Sequence, residues 1–155
     1  MKLYLIQHGE AVAKEIDPDR PLSERGVHDV EKMARFLRQG GISVVKVVHS
    51  GRRRAQQTAQ LLAAALMPGG RPEPVEGINP KDDVTRFAEQ LDDLPGDTLV
   101  AGHLPFMARL VAWLVTGSSE SGVVDYQPGS VVCLKRQEAG SWTLEFMLRP
   151  ELLGN

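Results

Sequence analysis

The sequence predicts an α/β chain in which a mostly parallel sheet lies between helix layers and carries an antiparallel edge. Three observations carry that prediction. Short apolar, β-branched runs alternate with segments of helical period through most of the chain. Three of those runs stop abruptly beside a histidine and a glycine, as strands do when they deliver a polar residue into a loop. The last two runs, 129–135 and 142–148, are separated only by Glu138-Ala139-Gly140-Ser141 and read as a hairpin.

The first run, Lys2 to Ile6, is a buried strand that ends in Gln7-His8-Gly9-Glu10. Residues 11–21 are polar and proline-marked, a loop able to arch over a site. A helix then starts with Ser23 as N-cap and Glu24 in its first turn. Val27, Val30, Met33, Ala34 and Leu37 form its apolar stripe, and Gly40-Gly41 stop it. His28 lies off the stripe and is expected in solvent. The second strand, 43–48, ends in His49-Ser50-Gly51, and an alanine- and leucine-rich helix follows over 50–67. Residues 71–80 hold three prolines and should be irregular. A third helix is predicted over 82–94, with Asp82-Asp83 as cap and dipole partner. A strand over 98–101 leads into Gly102-His103-Leu104-Pro105, and a fourth helix spans 105–115.

Composition bounds the function classes. The 155 residues suit a single domain, 1–155, large enough to bury roughly two thirds of its unfolded surface. With 42% hydrophobic and 25% charged residues and a net charge of -2, neither a nucleic-acid nor a membrane partner is expected. The single cysteine, Cys133, sits in an apolar run as a packed thiol, and residues 1–10 lack the pattern of a signal peptide; a reducing, cytoplasmic setting is the expectation. No apolar run reaches the roughly 18 residues of a membrane span.

In open α/β sheets, ligands bind in the crevice outside the carboxyl ends of the strands. His8, His49 and His103 all fall at such ends, so their convergence marks a candidate site. The stretch Ser50-Gly51-Arg52-Arg53-Arg54 puts three arginines at a helix start. Cations there are disfavoured by a few tenths to about 1 kcal/mol each, unless an anion reverses the sign. Backbone N–H groups, the dipole and guanidinium forks together make a phosphate or carboxylate site. Beside histidines the anion expected is a phosphoryl group in transfer, because neutral imidazole is a competent nucleophile toward phosphorus. No His-x-x-x-His pair, cysteine cluster or Asp-x-Asp at a strand end suggests a metal, and no cofactor is expected.

Four spaced motifs, Gln7-His8-Gly9-Glu10, Arg20-Pro21-Leu22-Ser23-x-x-Gly26, Ser50-Gly51-x-x-Arg54-Ala55-x-Gln57-Thr58 and Gly102-His103-Leu104-Pro105, resemble the histidine phosphatase superfamily, and within it the small SixA-type phosphohistidine phosphatases. The resemblance runs in order from residue 2 to about residue 115. It implies a three-layer α/β/α sandwich of the phosphoglycerate mutase-like type and a metal-free phosphatase. It also implies that His8 is transiently phosphorylated, that Arg54 and His103 hold the phosphoryl group, and that Gln7, Gly9, Arg20 and Ser50 line the phosphate site. The chain departs from the pattern at Gln7, where the superfamily has arginine, and at Gly51, where proline is usual. Its short 76–83 segment offers no clear counterpart of the general-acid glutamate of larger members.

The expected function is therefore that of a protein phosphohistidine phosphatase acting on a histidine phosphotransfer domain or similar phosphoprotein in signal transduction. Gln7 should reduce its activity. The rival readings are a phosphatase for a small phosphate ester, and a degenerate module that binds phosphate or phosphoprotein without turnover.

Overall fold

The computed structural model describes residues 1–154. Its sheet has six strands in the order β3-β2-β4-β1-β5-β6. β1 (Lys2–Gln7), β2 (Lys46–His49), β3 (Glu73–Pro74) and β4 (Thr98–Gly102) run parallel, and the hairpin of β5 (Val131–Arg136) and β6 (Trp142–Leu148) adds the antiparallel edge. The helices are α1 (Glu24–Gln39), α2 (Arg53–Leu66), α3 (Val84–Glu89) and α4 (Phe106–Thr116).

The side-chain alternation of the central strand sorts the core into two layers. Leu3 and Leu5 pack with Val84 and Phe87 of α3 and Phe106, Leu110 and Val111 of α4. Tyr4 and Ile6 pack on the opposite face with Val30, Met33 and Leu37 of α1 and Ala59, Leu62 and Leu66 of α2. Being buried on both faces explains why β1 reads as a continuous apolar run rather than an alternating one. The parallel register pairs Gln7 with Gly102 and His49 with Ala101. The carboxyl ends of β1, β4 and β2 are therefore level, and the residues just beyond them share one edge.

Local signals account for most boundaries. Ser23 caps α1 by accepting the N–H of Gly26, an interaction that typically contributes about 1 kcal/mol. Gly41, at φ 82°, ends the helix. Val27 is half-buried, whereas Gly26 is buried in its stead, so the stripe begins one residue earlier than its apolar residues suggest. β2 starts at Lys46 because the amides of Val44 and Val45 bond to Leu66 and Asp97 instead of entering the ladder. α2 begins at Arg53, with Arg52 as its N-cap and only Arg53 and Arg54 in the first turn.

Two expectations need correction. The segment 71–80 is not wholly irregular: Glu73–Pro74 forms a two-residue parallel edge strand against Val48 and His49, a position that tolerates proline. The helix expected over 82–94 is an α-helix only over Val84–Glu89 and tightens into a 3-10 turn over Gln90–Asp93. Asp83 is its cap and accepts the N–H of Thr85, while Asp82 lies outside and accepts the N–H of Asn79. A 3-10 turn over Pro150–Leu152, which no periodicity announced, follows the hairpin. Cys133 is buried in β5, as a packed thiol should be. Among the described residues no helix is long and apolar enough to cross a membrane.

Candidate active site

β1 delivers His8 to the level carboxyl edge, and β4 delivers His103 beside it; their ring centroids lie 5.1 Å apart. The two nitrogens of His8 have defined roles. Nδ1 is 2.7 Å from the Gly9 carbonyl oxygen, which can only accept, so Nδ1 carries the proton. Arg54 Nε approaches Nε2 at 3.3 Å and can only donate, so Nε2 presents its lone pair to the guanidinium. Burial, with the charges of Arg54 and Arg20 adding to it, lowers the His8 pKa to about 4 against the opposing pull of the Gly9 carbonyl. His8 is thus a neutral imidazole in one tautomer, with an sp² lone pair aimed at the Arg54 guanidinium.

The loop that holds His8 is tightly braced. The Gly9 N–H, an expected phosphate contact, donates instead to Thr58 Oγ1 at 3.1 Å; that hydroxyl in turn donates to the Arg54 carbonyl at 2.8 Å. One fully buried hydroxyl therefore joins the loop after β1 to the first turn of α2. A turn away, Gln57 Oε1 accepts the N–H of Leu22 at 2.7 Å and fixes the far end of the 11–21 loop. Gly26 permits α1 to approach so closely that a Cβ there would lie 2.1 Å from the Glu10 carbonyl oxygen. A Cβ on Gly9 would meet Val30 at 2.8 Å. Gln57 and Thr58 belong to the third sequence motif, and spacing is the signal for the role of Thr58: it is four residues after Arg54 and so falls within reach of its carbonyl.

His103 is held more lightly. It is 2% exposed, and its Nε2 lies 2.6 Å from Ser50 Oγ. The hydroxyl also accepts the Arg52 N–H at 3.3 Å, so Ser50 links His103 to the N-cap of α2. His103 Nδ1 is buried and has no hydrogen-bond partner among the described residues. Burial first, then His8, Arg54, Arg52 and Arg20, lowers its pKa to about 3. A serine can donate or accept, so its contact accommodates His103 with the proton on either nitrogen.

The remaining candidates divide. Arg20 stands at the rim with φ 48°, and its Nε donates to the Val12 carbonyl at 3.1 Å. Its charge reaches His8, His103 and Arg54. Gln7 is buried at the end of β1, and its Oε1 has no partner among the described residues. His49 serves the loop instead: it is buried, and its Nδ1 accepts the Gly51 N–H at 3.0 Å. Gly51 has φ 89°, which the ring of proline cannot adopt, so this loop conformation requires the glycine. α2 has no side-chain cap bond, which leaves amides of its first turn available to an anion. His28 is exposed. Among the described residues no group of three or more His, Cys, Asp or Glu side chains is placed to hold a metal ion.

Taken together, a fixed neutral imidazole, a second imidazole, a guanidinium and a helix N-terminus come together at one sheet edge, the kinds of group that nucleophilic phosphoryl transfer uses. The family model of the histidine phosphatase superfamily (branch 1) matches residues 3–79. Over 144 residues the chain is 31% identical to an uncharacterized protein of Picosynechococcus, covering 84% of this chain and 87% of that protein. It is 25% identical to the phosphohistidine phosphatase SixA of Escherichia coli over 155 residues, covering 97% and 94% of the two chains. The structure of the protein histidine phosphatase SixA complexed with tungstate superposes with a TM-score of 0.88 at 25% identity, over 99% of both chains. An alpha-ribazole phosphatase from Shigella flexneri shares the fold at 18% identity, with a TM-score of 0.81 and 97% of each chain covered. By the matched model, the sequence relatives and the common fold, the chain belongs to the histidine phosphatase superfamily.

Proposed function

We propose that the protein is a phosphohistidine phosphatase acting on a histidine phosphotransfer domain or a similar phosphoprotein, through a phosphohistidine intermediate on His8. The observation that supports this most is the single tautomer of His8, whose unprotonated Nε2 faces Arg54. In the first step the Nε2 lone pair attacks phosphorus, and the bond from phosphorus to the substrate imidazole breaks. The departing ring takes a proton from solvent. Arg54, His103 and the amides of the α2 N-terminus neutralise charge on the equatorial oxygens, with Arg20, Ser50 and Gln7 at the periphery. In the second step water attacks phosphorus, the bond to His8 Nε2 breaks, a proton leaves with solvent, and inorganic phosphate departs. Arginines and a helix dipole supply the positive charge, so the reaction needs no metal and should persist in a chelator.

Gln7 favours one rival. A neutral amide with an unpartnered buried oxygen contributes less to a transferring phosphoryl group than a cation does, and the extreme outcome is a module that binds without turnover. Brief exposure to phosphoramidate followed by mass spectrometry separates the readings: acid-labile phosphate on His8, cleared over time, is expected. A protein that never acquires it while still binding phosphate is a binding module. Faster hydrolysis of small phosphate esters than of a phosphohistidine protein would instead assign the substrate to the small-molecule class.

A further inference from the structure

Arg20, Arg52, Arg53 and Arg54 surround the cluster, and none of them enters an ion pair among the described residues. Arg54 faces His8, but Arg52 is placed differently. Its backbone N–H reaches Ser50, one hydrogen bond from His103, while its side chain extends to the loop between β3 and α3, where Nε donates to Asn79 Oδ1 at 3.0 Å. Asn79 is itself fixed. Its N–H donates to Asp82 Oδ2 at 2.8 Å, and the Asp82 N–H donates back to the Asn79 carbonyl at 3.0 Å. A long, exposed, rotamer-rich side chain is thus held in place by a neutral oxygen, which leaves its charge uncompensated. The backbone contact of Arg52 to the hydroxyl that touches His103 puts it on the His103 side of the cluster.

We propose that Arg52, held by Asn79, is a second anion subsite that receives a carboxylate borne by the substrate beside its phosphoryl group. The proposal rests on the reading of the His8 cluster as a phosphoryl site. One planar guanidinium with one uncompensated charge matches one carboxylate, in a paired geometry that an ammonium could not reproduce. The carboxylate can come from an acidic side chain next to the phosphorylated residue of a protein, or from a small ester itself. In both cases Arg52 selects by what flanks the phosphate and leaves the chemistry at His8 alone.

The test compares 3-phosphoglycerate with glycerol 3-phosphate, which differ in the carboxylate, by calorimetric binding to wild type, Arg52→Gln and Asn79→Ala. Wild type should bind the carboxylated ligand about tenfold more tightly, the contribution of one charge-assisted pair at an exposed site. Arg52→Gln should abolish that preference and leave glycerol 3-phosphate binding within about twofold; Asn79→Ala, which frees the side chain, should reduce it in part. Hydrolysis of phosphohistidine peptides with glutamate or glutamine beside the histidine identifies the source. A glutamate preference that Arg52→Gln removes assigns the carboxylate to a protein, and a preference seen only among small ligands assigns it to the ester. Equal binding of both ligands by wild type, or a preference that survives in Arg52→Gln, overturns the subsite. If neither peptide is hydrolysed but the calorimetric preference is present, the phosphatase reading fails and the subsite stands.

Discussion

The two strand ends that meet at the site are built to different standards of rigidity. His8 is locked through both ring nitrogens, and its loop is pinned by Thr58, by Gln57 and by backbone approaches that only Gly9 and Gly26 allow. His103 has one polar contact, to a hydroxyl that can reverse its direction, and an unpartnered second nitrogen. A nucleophile must present one lone pair along one line, and a misplacement of about 1 Å can cost on the order of a hundredfold in rate. A group that holds a phosphoryl oxygen tolerates more freedom, and one able to change its proton can follow charge as it develops. The difference in bracing is the structural basis for assigning the two imidazoles different parts.

Removing each ring should have the largest and most unequal effects. His8→Ala should abolish turnover and the acid-labile phosphate, whereas His103→Ala should lower kcat by about a hundredfold and still leave phosphate on residue 8. Single-turnover kinetics with mass spectrometry checks both, and wild-type rates in His8→Ala would end the nucleophilic reading. The next largest effect separates the loops themselves. Gly26→Ala drives a Cβ to 2.1 Å from a backbone oxygen that no rotamer can move, and should cost about 2 to 4 kcal/mol of stability. Gly51→Ala meets nothing within 4 Å and suffers only from its positive φ, about 1 to 2 kcal/mol. Denaturant midpoints of the two variants that coincide would show that the His8 loop is no more rigidly packed than the loop of Ser50.

How far this was legible in the sequence follows the same division. The parallel sheet, the antiparallel edge and the placement of His8 and His103 were readable, because apolar period and strand-end polarity are local signals. The four motifs carried the resemblance to the superfamily. The bracing was not readable: the Gly9–Thr58 bond spans 49 residues, and the clash that makes Gly26 necessary exists only once α1 docks on the loop after β1. His49 misled for the converse reason. It has the same strand-end signature as the other two histidines, but its ring accepts the amide of Gly51 two residues on, a local turn interaction that a strand-end pattern does not distinguish from a site. The short β3 escaped because three prolines outweighed a pairing that needs only two residues.

Acid should act on both rings, because both are held neutral. The folded pKa of His8, about 4, and that of His103, about 3, lie below the ordinary 6.5. Between about pH 6.5 and pH 4 the unfolded chain therefore binds more protons, so the stability present above pH 6.5 is lost as pH falls through that window. Each ring should contribute on the order of 2 kcal/mol of loss between pH 7 and pH 5. Urea unfolding of wild type and of a His8→Gln, His103→Gln double variant at both pH values isolates this contribution from that of the carboxylates. An identical fall in the two proteins would mean that the rings charge freely in the folded state.

The smallest expected effect belongs to Gln7, which sits between the two regions: it precedes His8 in β1, and its Cα pairs with that of Gly102, the residue before His103. The parity of the strand places its side chain with Leu3 and Leu5, on the face that packs against α3 and α4, and its Oε1 is buried without a partner among the described residues. An arginine there would replace one neutral amide by a delocalised cation with several donors, which on a transferring phosphoryl group is worth about 1.5 to 3 kcal/mol. Two features reduce the gain. The positive charge of Arg20 already reaches both His8 and His103, and the new guanidinium must leave a position whose neighbour across the sheet, Gly102, has Met107 Sδ within 2.6 Å of where a Cβ would be. Gln7→Arg should therefore raise turnover about tenfold, or roughly 1.4 kcal/mol in the barrier. The measurement is a side-by-side rate on one phosphohistidine substrate at equal enzyme concentration. An arginine variant no faster than the parent would show that the existing arginines already supply the missing charge. Absence of phosphate on His8 in both proteins would carry the conclusion further, to a site that has kept the geometry of phosphoryl transfer and uses it only to bind.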